Sequence, residues 1–323
     1  MKLEFEAIFN RWVLQQKKFV FFIDFEKQKP LIFSPEEAFA KGIWFQIDKV
    51  KNYAYPAKYP QSITLQTFPV SKIRYRKAFD EVQKHLHAGN TYLLNLTFAT
   101  PVQVSNGLAE IFYLAQAPYK VFFKDQFVFF SPETFVKIIG NEITTYPMKG
   151  TIDAGIANAH EKLLQNKKEL YEHNTIVDLL RNDLASVARK VRVNRFRYID
   201  KITTSQGALL QVSSEISGSL PDDWKQNNPV EIFEKLLPAG SVSGAPKPKT
   251  LEIIRSVEKA ERGYYTGIFG YFDGQNFDTA VMIRYIEKRN EKFYYRSGGG
   301  VTALSSCQDE YYELKQKIYV PVD

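Results

Sequence analysis

Two pairs of glutamates are spaced so that they could bind a metal ion. Glu310 and Glu313 lie three residues apart in one stretch of helical periodicity, and Glu169 and Glu172 repeat that spacing in another. Residues three apart share one face of a helix, so two such helices facing one cavity would present four carboxylates. Mg²⁺ prefers oxygen ligands of this kind and keeps several of its waters. The alternative is that both pairs are solvated helix faces, because lysines flank each pair.

Lys149 is a candidate nucleophile. It lies in the segment Tyr146-Pro147-Met148-Lys149-Gly150-Thr151, just after a predicted strand, where proline and glycine restrict the backbone. A lysine that is held in a pocket and partly desolvated has a lowered pKa, and its neutral amine can bond covalently to a substrate. An exposed lysine in a turn is the alternative interpretation of the same residues.

Arg284 and a run of three glycines are candidates for binding an anion. The predicted strand Ala280–Glu287 places Arg284 within a mostly apolar stripe, and a buried arginine needs a partner such as a carboxylate. That carboxylate belongs either to the protein itself or to a ligand. Gly298-Gly299-Gly300 follows another predicted strand, and bare backbone amides can approach an anion closely. A tight turn explains the glycine run equally well.

The elements that must position these residues mix short strands with amphipathic helices. Runs rich in Val, Ile, Phe and Tyr predict strands at 19–24, 126–131, 135–139, 209–216, 267–272, 280–287 and 292–297. Apolar residues at helical spacing predict helices at 75–86, 108–117, 159–174, 230–237, 250–260 and 308–320. Short polar turns at 273–276 and 288–291 predict hairpins, so at least part of the sheet is antiparallel. We therefore predict an α+β protein whose residues 1–323 form a single domain.

Composition and charge exclude several classes of protein. The 323 residues are 44% hydrophobic and 24% charged, which is typical of a globular protein and rules out disordered and fibrous chains. The net charge of +7 is spread without a run of four Lys or Arg, so we do not expect a nucleic-acid partner. Cys307 is the single cysteine, which favours a reducing, cytoplasmic location. The apolar stretches are too short for a secretory signal or a membrane span, so we expect no membrane partner.

Seven sequence blocks, in the same order, resemble the chorismate-utilising enzyme family, which includes anthranilate, aminodeoxychorismate, isochorismate and salicylate synthases. The blocks are Ala88–Thr97, Ser131-Pro132-Glu133, Glu172–Leu184, Pro238–Lys247, Arg262–Gly267, Gly298–Gly300 and Glu310–Lys317. They extend over most of the chain, and seven ordered blocks are far more specific than any one of them.

The resemblance implies a fold and a metal site. The fold would be a two-layer sandwich of largely antiparallel β-sheets with helices packed outside, and residues 1–70 would be a shortened N-terminal portion of the same domain. Glu172 and Glu313 resemble the family's direct Mg²⁺ ligands, with Glu169 and Glu310 acting through water.

The resemblance also implies catalytic and binding roles. Glu133 resembles the general acid that protonates the departing C4 hydroxyl of chorismate. Lys317 matches a lysine near the metal-bound carboxylate. The groups that resemble the clamp for the enolpyruvyl carboxylate are Arg284, Tyr265 and the amides of Gly298 and Gly300. The family often has Gln at the position of Leu93 and His near the position of Gln211. The side chain of Gln211 can donate a hydrogen bond, but unlike His it cannot shuttle a proton.

Lys149 decides which reaction the resemblance implies. Anthranilate and isochorismate-type members carry Ala at this place, whereas one type of aminodeoxychorismate synthase carries Lys. A lysine that adds at C2 and expels the C4 hydroxyl allows ammonia to add at C4 and expel the lysine. The implied product is 4-amino-4-deoxychorismate, for p-aminobenzoate and folate synthesis, with ammonia from a partner glutamine amidotransferase. The alternatives are anthranilate synthase component I and a catalytically silent chorismate-binding subunit.

Overall fold

The computed structural model describes residues 2–58, 62–165, 167–204 and 207–322. The helices are α1 Leu3–Leu14, α2 Pro35–Ala40, α3 Lys72–His87, α4 Leu108–Leu114, α5 Ala159–Gln165, α6 Lys167–Ala185, α7 Val230–Leu236, α8 Lys247–Glu258 and α9 Cys307–Gln316. None of the helices in the described ranges is both long and apolar enough to cross a membrane.

Most strands in the described ranges have six residues or fewer, and the four longer ones have ten to sixteen. The strands are β1 Phe19–Ile23, β2 Leu31–Phe33, β3 Ile43–Ile47, β4 Val50–Lys51, β5 Leu65–Thr67, β6 Leu93–Val104, β7 Tyr119–Phe123, β8 Phe127–Ser131, β9 Thr134–Ile139, β10 Glu142–Thr145, β11 Met148–Asp153, β12 Arg189–Thr204, β13 Gly207–Ser219, β14 Gly244–Ala245, β15 Ile268–Phe272, β16 Phe277–Val281, β17 Tyr285–Arg289 and β18 Lys292–Val301.

Within the described ranges these strands form two nine-stranded sheets. The first has the order β11-β13-β10-β9-β16-β15-β1-β2, with β12 also paired to β13. The second has the order β14-β6-β18-β17-β8-β7-β3-β4, with β5 also paired to β6. The strand pairs are antiparallel. The predicted α+β sandwich of largely antiparallel sheets is confirmed.

Strand β1 shows why the two sheets pack together with helices outside. Every residue of β1 is buried, because each face of the strand meets a different layer. Phe21 packs against Phe9 of α1 and Phe233 of α7, with ring centroids 5.1 Å apart in both pairs. Phe22, on the other face, lies 6.4 Å from Phe127 of the second sheet. A fully buried Phe stabilises a fold by about 1.5–3 kcal/mol, so this strand anchors three layers.

The predicted strand Ala280–Glu287 is wrong as a single element. β16 ends at Val281 in the first sheet and β17 begins at Tyr285 in the second, so the residues between them cross from sheet to sheet. Arg284 lies in this crossing and has a φ of 53°, in the left-handed region. The crossing, rather than strand alternation, therefore places the Arg284 side chain.

Other predicted boundaries are corrected as well. β18 continues through Gly298–Gly300, which pair with β6, so the glycine run is strand and not turn. Lys149 lies inside β11 rather than after a strand. The predicted helix 159–174 is replaced by α5 and α6, and residue 166 lies outside the described residues. Helix α9 ends at Gln316 and Lys317 is its C-terminal cap. The two predicted hairpins are confirmed as β15–β16 and β17–β18.

Candidate active site

A cavity of about 540 Å³ is bordered by residues of both sheets and by helices α6 and α9. It brings together the predicted site residues, although they come from distant parts of the chain. Those that line it are Glu133, Lys149, Glu169, Glu172, Tyr265, Arg284, Gly298, Gly300, Glu313 and Lys317. Glu310 does not line the cavity. Its carboxylate faces Gly299, which lies between the lining residues Gly298 and Gly300.

The two glutamate pairs face the glycines of β11 and β18. A Cβ atom at Gly150 would lie 3.2 Å from Oε2 of Glu169. A Cβ atom at Gly299 would lie 3.3 Å from Oε2 of Glu310 and 3.4 Å from Oε1 of Glu313. Glu172 and Glu310 are buried, at 7% and 2% exposure. The interpretation of both pairs as solvated helix faces is therefore wrong.

Lys149 points at the carboxylates of α6. Its Nζ lies 2.7 Å from Oε2 of Glu172. Burial by itself would lower the pKa of Lys149, but the carboxylates of Glu172, Glu313 and Glu169 outweigh burial and raise it. In this arrangement the neighbouring carboxylates therefore raise the pKa of Lys149, opposite to the lowered pKa expected from burial.

The carboxylates fit a magnesium site by their chemistry. Four glutamates supply only oxygen donors, which are the ligands Mg²⁺ prefers. Lysine ammonium groups lie against two of them: Lys149 against Glu172, and Lys317 Nζ at 2.6 Å from Oε1 of Glu313. Among the described residues, no three His, Cys, Asp or Glu side chains are grouped closely enough to hold a metal ion. The oxygen donors therefore fit Mg²⁺. In this structure, however, Lys149 and Lys317 already pair with Glu172 and Glu313, so a bound Mg²⁺ would compete with the two ammonium groups for these carboxylates.

Glu133 lies between β8 of the second sheet and β9 of the first, and it lines the cavity. Its backbone N–H donates to Oγ of Ser131 at 3.1 Å, and its carbonyl accepts from the N–H of Val281 at 3.1 Å. The Ser241 hydroxyl donates to Oε1 of Glu133 at 2.6 Å. Burial raises the pKa of Glu133, although Ser241, Lys317 and Arg284 each act to lower it. A carboxylic acid that keeps its proton to higher pH than usual is suited to general acid catalysis.

Cationic and hydrogen-bonding groups lie on the wall formed by β18 and the crossing. The Arg284 guanidinium lies 5.0 Å from the ring of Tyr319, and its Nε is buried with no hydrogen-bond partner in the described part of the chain. Burial raises the pKa of Tyr265 to about 12, so its hydroxyl keeps its proton and can donate. Lys317 donates to the carbonyl of Gly298 at 3.0 Å. These groups together can bind an anion.

Arg296 also lines this wall and was missed in the sequence. Its guanidinium lies 5.2 Å from the ring of Tyr265, and its Nη1 lies 3.6 Å from Oε1 of Glu287. It precedes Gly298 by two residues in β18, so both lie on the same face of the strand. The two-residue spacing from Gly298 could have identified Arg296 as a site residue, because an arginine on the same strand face as the predicted anion-binding glycines needs an anionic or aromatic partner.

The segment that carries Ser241 is fixed to the rest of the site by Arg262. The Arg262 side chain is 1% exposed and makes forked contacts with Glu258, Nε to Oε2 at 2.9 Å and Nη2 to Oε1 at 2.7 Å. It also donates to the carbonyl oxygens of Val242 and Asn95, each at 2.7 Å. One buried guanidinium therefore joins α8, β6 and the turn that contains Ser241.

Replacing Arg262 by lysine should lower the free energy of unfolding by about 2 kcal/mol, because an ammonium group cannot make the forked contacts and leaves buried acceptors unpaired. Urea denaturation measures the change. Arg255 is exposed on α8, so Arg255→Lys should change stability by no more than about 0.5 kcal/mol. Equal losses in the two variants would contradict this account of Arg262.

Replacing Gly298 by alanine should destabilise the protein by about 1–3 kcal/mol through overpacking. A Cβ atom there would lie 2.5 Å from the carbonyl oxygen of Leu96 and 2.6 Å from Cγ2 of Thr97. Gly300→Ala is the matched control, because its Cβ would meet only Cδ1 of Leu93, at 3.1 Å, and that side chain can shift. Thermal denaturation of both variants tests the difference, and a Gly300 variant that is the less stable of the two would contradict it.

Comparison with known proteins identifies the family of this chain. Residues 34–323 match the family model described as chorismate binding enzyme. An uncharacterized PabA-like protein of Pasteurella multocida is 52% identical over 97% of this chain and 97% of its own length. Aminodeoxychorismate synthase component 1 of Bacillus subtilis is 31% identical over 78% of this chain and 55% of its own length.

A solved structure agrees on the fold. The menaquinone-specific isochorismate synthase MenF of Escherichia coli superposes with a TM-score of 0.74 and 16% identity, covering 95% of this chain and 79% of that one. At that identity the likeness concerns the fold alone. The family match, in contrast, spans the segments that carry every lining residue described above. The chain belongs to the chorismate-binding enzyme family.

Proposed function

We propose that this protein is an aminodeoxychorismate synthase that converts chorismate and ammonia to 4-amino-4-deoxychorismate and water. The observation that carries the proposal is the position of Lys149, which lines the same cavity as Glu133 and the glutamates of α6 and α9. Its Nζ is the candidate nucleophile of that cavity, since an amine can add to the chorismate ring and later leave it. The similarity to aminodeoxychorismate synthase component 1 supports the same reaction.

The proposed reaction has two additions and two departures. The neutral amine of Lys149 bonds to C2 of chorismate, the ring double bonds shift, and the C4–O bond breaks as Glu133 gives its proton to the departing hydroxyl, forming water. Ammonia then bonds to C4, the double bonds shift back, and the C2–N bond to Lys149 breaks. Because the carboxylate of Glu172, 2.7 Å away, raises the pKa of Lys149, the lysine must first release a proton to solvent, and it is set free again as the neutral amine when the C2–N bond breaks. The proton released from the new amine restores the acid form of Glu133.

The remaining groups would hold the two carboxylates of the substrate. We propose that Arg284, Tyr265 and the amides of Gly298 and Gly300 bind the enolpyruvyl carboxylate, with Lys317 nearby; these groups share one wall of the cavity. Bidentate contacts from a guanidinium would orient that carboxylate. Fixing both ends of the ring would bring C2 toward Lys149 and the C4 hydroxyl toward Glu133.

We also propose that Mg²⁺ is the cofactor. Glu172 and Glu313 would hold it directly, and Glu169 and Glu310 would act through water. When bound, the ion would supply positive charge to the ring carboxylate and offset negative charge that develops during elimination. Chelation should then remove turnover, and added Mg²⁺ should restore it.

A glutamine amidotransferase subunit is the proposed source of ammonia in the cell. The PabA-like name of the Pasteurella relative and the component 1 name of the Bacillus relative are consistent with a two-component enzyme. The product would lead to p-aminobenzoate and folate once a separate lyase removes the enolpyruvyl group as pyruvate.

The proposal is tested by incubating purified protein with chorismate, Mg²⁺ and ammonium and separating the products by mass and retention time. We expect 4-amino-4-deoxychorismate. Anthranilate or isochorismate as the only product would overturn the proposed reaction. A lack of turnover with ammonium, alongside measurable chorismate binding, would favour the silent subunit instead.

A further inference from the structure

We propose that Ser241 is a positioning residue that holds the Glu133 carboxyl group in place and stabilises its ionised form through one hydrogen bond. This inference rests on the proposed function of Glu133 as the general acid. It concerns a contact between residues 108 positions apart in the chain, joining the end of β8 to the short turn Gly240–Val242.

The contact is short and directional. The Ser241 hydroxyl donates to Oε1 of Glu133 at 2.6 Å, within the range of hydrogen bonds to carboxylates. Oε2 has no hydrogen-bond partner in the part of the chain that the structure describes. With Oε1 already accepting from Ser241, Oε2 is the oxygen left to carry the acidic proton toward a substrate.

Ser241 is held independently of Glu133. Arg262 donates to the carbonyl of Val242 at 2.7 Å, and the Ser243 hydroxyl donates to the carbonyl of Ala239 at 2.8 Å. A Cβ atom at Gly240 would lie 2.9 Å from Oδ2 of Asp183, so the turn is packed tightly onto α6. The turn that carries the hydroxyl is therefore held by contacts that do not involve Glu133, which is the condition for orienting an acid.

The surroundings of Glu133 explain why such a donor is useful. Burial raises the pKa of its carboxyl group, while Ser241, and after it Lys317 and Arg284, limit the rise. An acid whose pKa is too high gives up its proton poorly, so limiting the rise favours catalysis. The other ionisable groups that line this cavity in the described part of the chain are Tyr146, Lys149, Glu169, Glu172, Tyr265, Arg296, Glu313 and Tyr319.

The direct test is a ¹³C NMR titration of protein labelled at the glutamate carboxyl carbons, with the Glu133 resonance assigned by its loss in Glu133→Gln. In Ser241→Ala the ionised form loses a donor, so the resonance should titrate at higher pH than in the wild-type protein. Ser241→Thr keeps a hydroxyl and should titrate close to wild type. Ser243→Ala removes a hydroxyl of the same segment that bonds to backbone, so it should leave the Glu133 titration unchanged.

Kinetics give a second readout. We expect Ser241→Ala to lower kcat about tenfold and to move the alkaline limb of kcat/KM to higher pH, with little change in KM. In a Glu133→Gln background, Ser241→Ala should lower kcat no further, because the residue acts through Glu133.

Two outcomes would overturn the inference. One is a Glu133 titration that is the same in Ser241→Ala as in the wild type. The other is an equal loss of kcat from Ser241→Ala with and without Glu133. Absence of any chorismate turnover in the wild-type protein would instead refute the proposed function, and the NMR titration would still decide whether Ser241 stabilises the Glu133 carboxylate.

Discussion

Lys149→Ala is expected to abolish the covalent chorismate adduct and to reduce formation of 4-amino-4-deoxychorismate by about 10³-fold or more, because it removes the nucleophile on which both additions depend. Intact-mass spectrometry of enzyme quenched during turnover measures the adduct. The wild-type protein should gain the mass of chorismate less water, and peptide mapping should place it on Lys149.

The control variant must separate the loss of the nucleophilic amine from the loss of the positive charge. Lys149 lies 2.7 Å from Glu172, so its loss also removes a positive charge from a buried carboxylate and should lower stability. Lys149→Arg keeps that charge but lacks the amine, so it should retain more of the stability and still form no adduct. An adduct of undiminished yield in Lys149→Ala would refute the nucleophile assignment, whatever the thermal stability of the variants.

Glu133→Gln is expected to lower kcat by about 10²–10⁴-fold with little effect on folding, because the amide keeps the shape of the side chain but has no acidic proton to give. The product assay measures the loss. Ser131→Ala is a nearby control, since its hydroxyl accepts from the backbone N–H of Glu133 and the residue is buried outside the cavity lining. A Gln variant with wild-type kcat would remove Glu133 from the reaction.

The pH dependence follows from the raised pKa of Glu133. A general acid works in its protonated form, so kcat/KM should fall as pH rises through this pKa, above the ordinary range of a glutamate. Burial disfavours the ionised form in the folded state, so the stability linked to this group is full at low pH and is lost as pH rises through the folded pKa. Glu133→Gln should therefore lose less stability than wild type over the same rise in pH. An identical stability profile in the two proteins would contradict the raised pKa.

Much of the fold could be predicted from local patterns. The hairpins β15–β16 and β17–β18 carry apolar runs and short polar turns, and both predictions hold. Strand β12 was missed because six of its sixteen residues are basic and most of those basic side chains are exposed, and because its pairing to β13 is irregular in three places. Its backbone hydrogen bonds to β13 define the strand, and a hydrophobic pattern does not report them.

The candidate site was predictable in much of its membership but not in its arrangement. Residue types and the order of the motifs identified ten of the residues that line the cavity, but they missed Arg296, and the roles proposed for the ten stay predictions. The prediction of Arg284 on a strand used the alternation of side chains between the two faces of a strand, which depends only on neighbouring residues. In the structure it lies where the chain leaves one sheet for the other, a feature that depends on which strands pair.

The sequence by itself determined the spacing of the glutamates and the presence of a lysine at position 149. Three-residue spacing puts Glu310 and Glu313 on one side of α9, since helix geometry is local. Only the tertiary structure decided that Lys149 pairs with Glu172, whose carboxylate raises the pKa of the lysine, and that Ser241 donates to Glu133. The physical reason is that protonation and hydrogen bonding depend on which charges and donors folding brings within a few ångströms, and these partners come from distant segments of the chain.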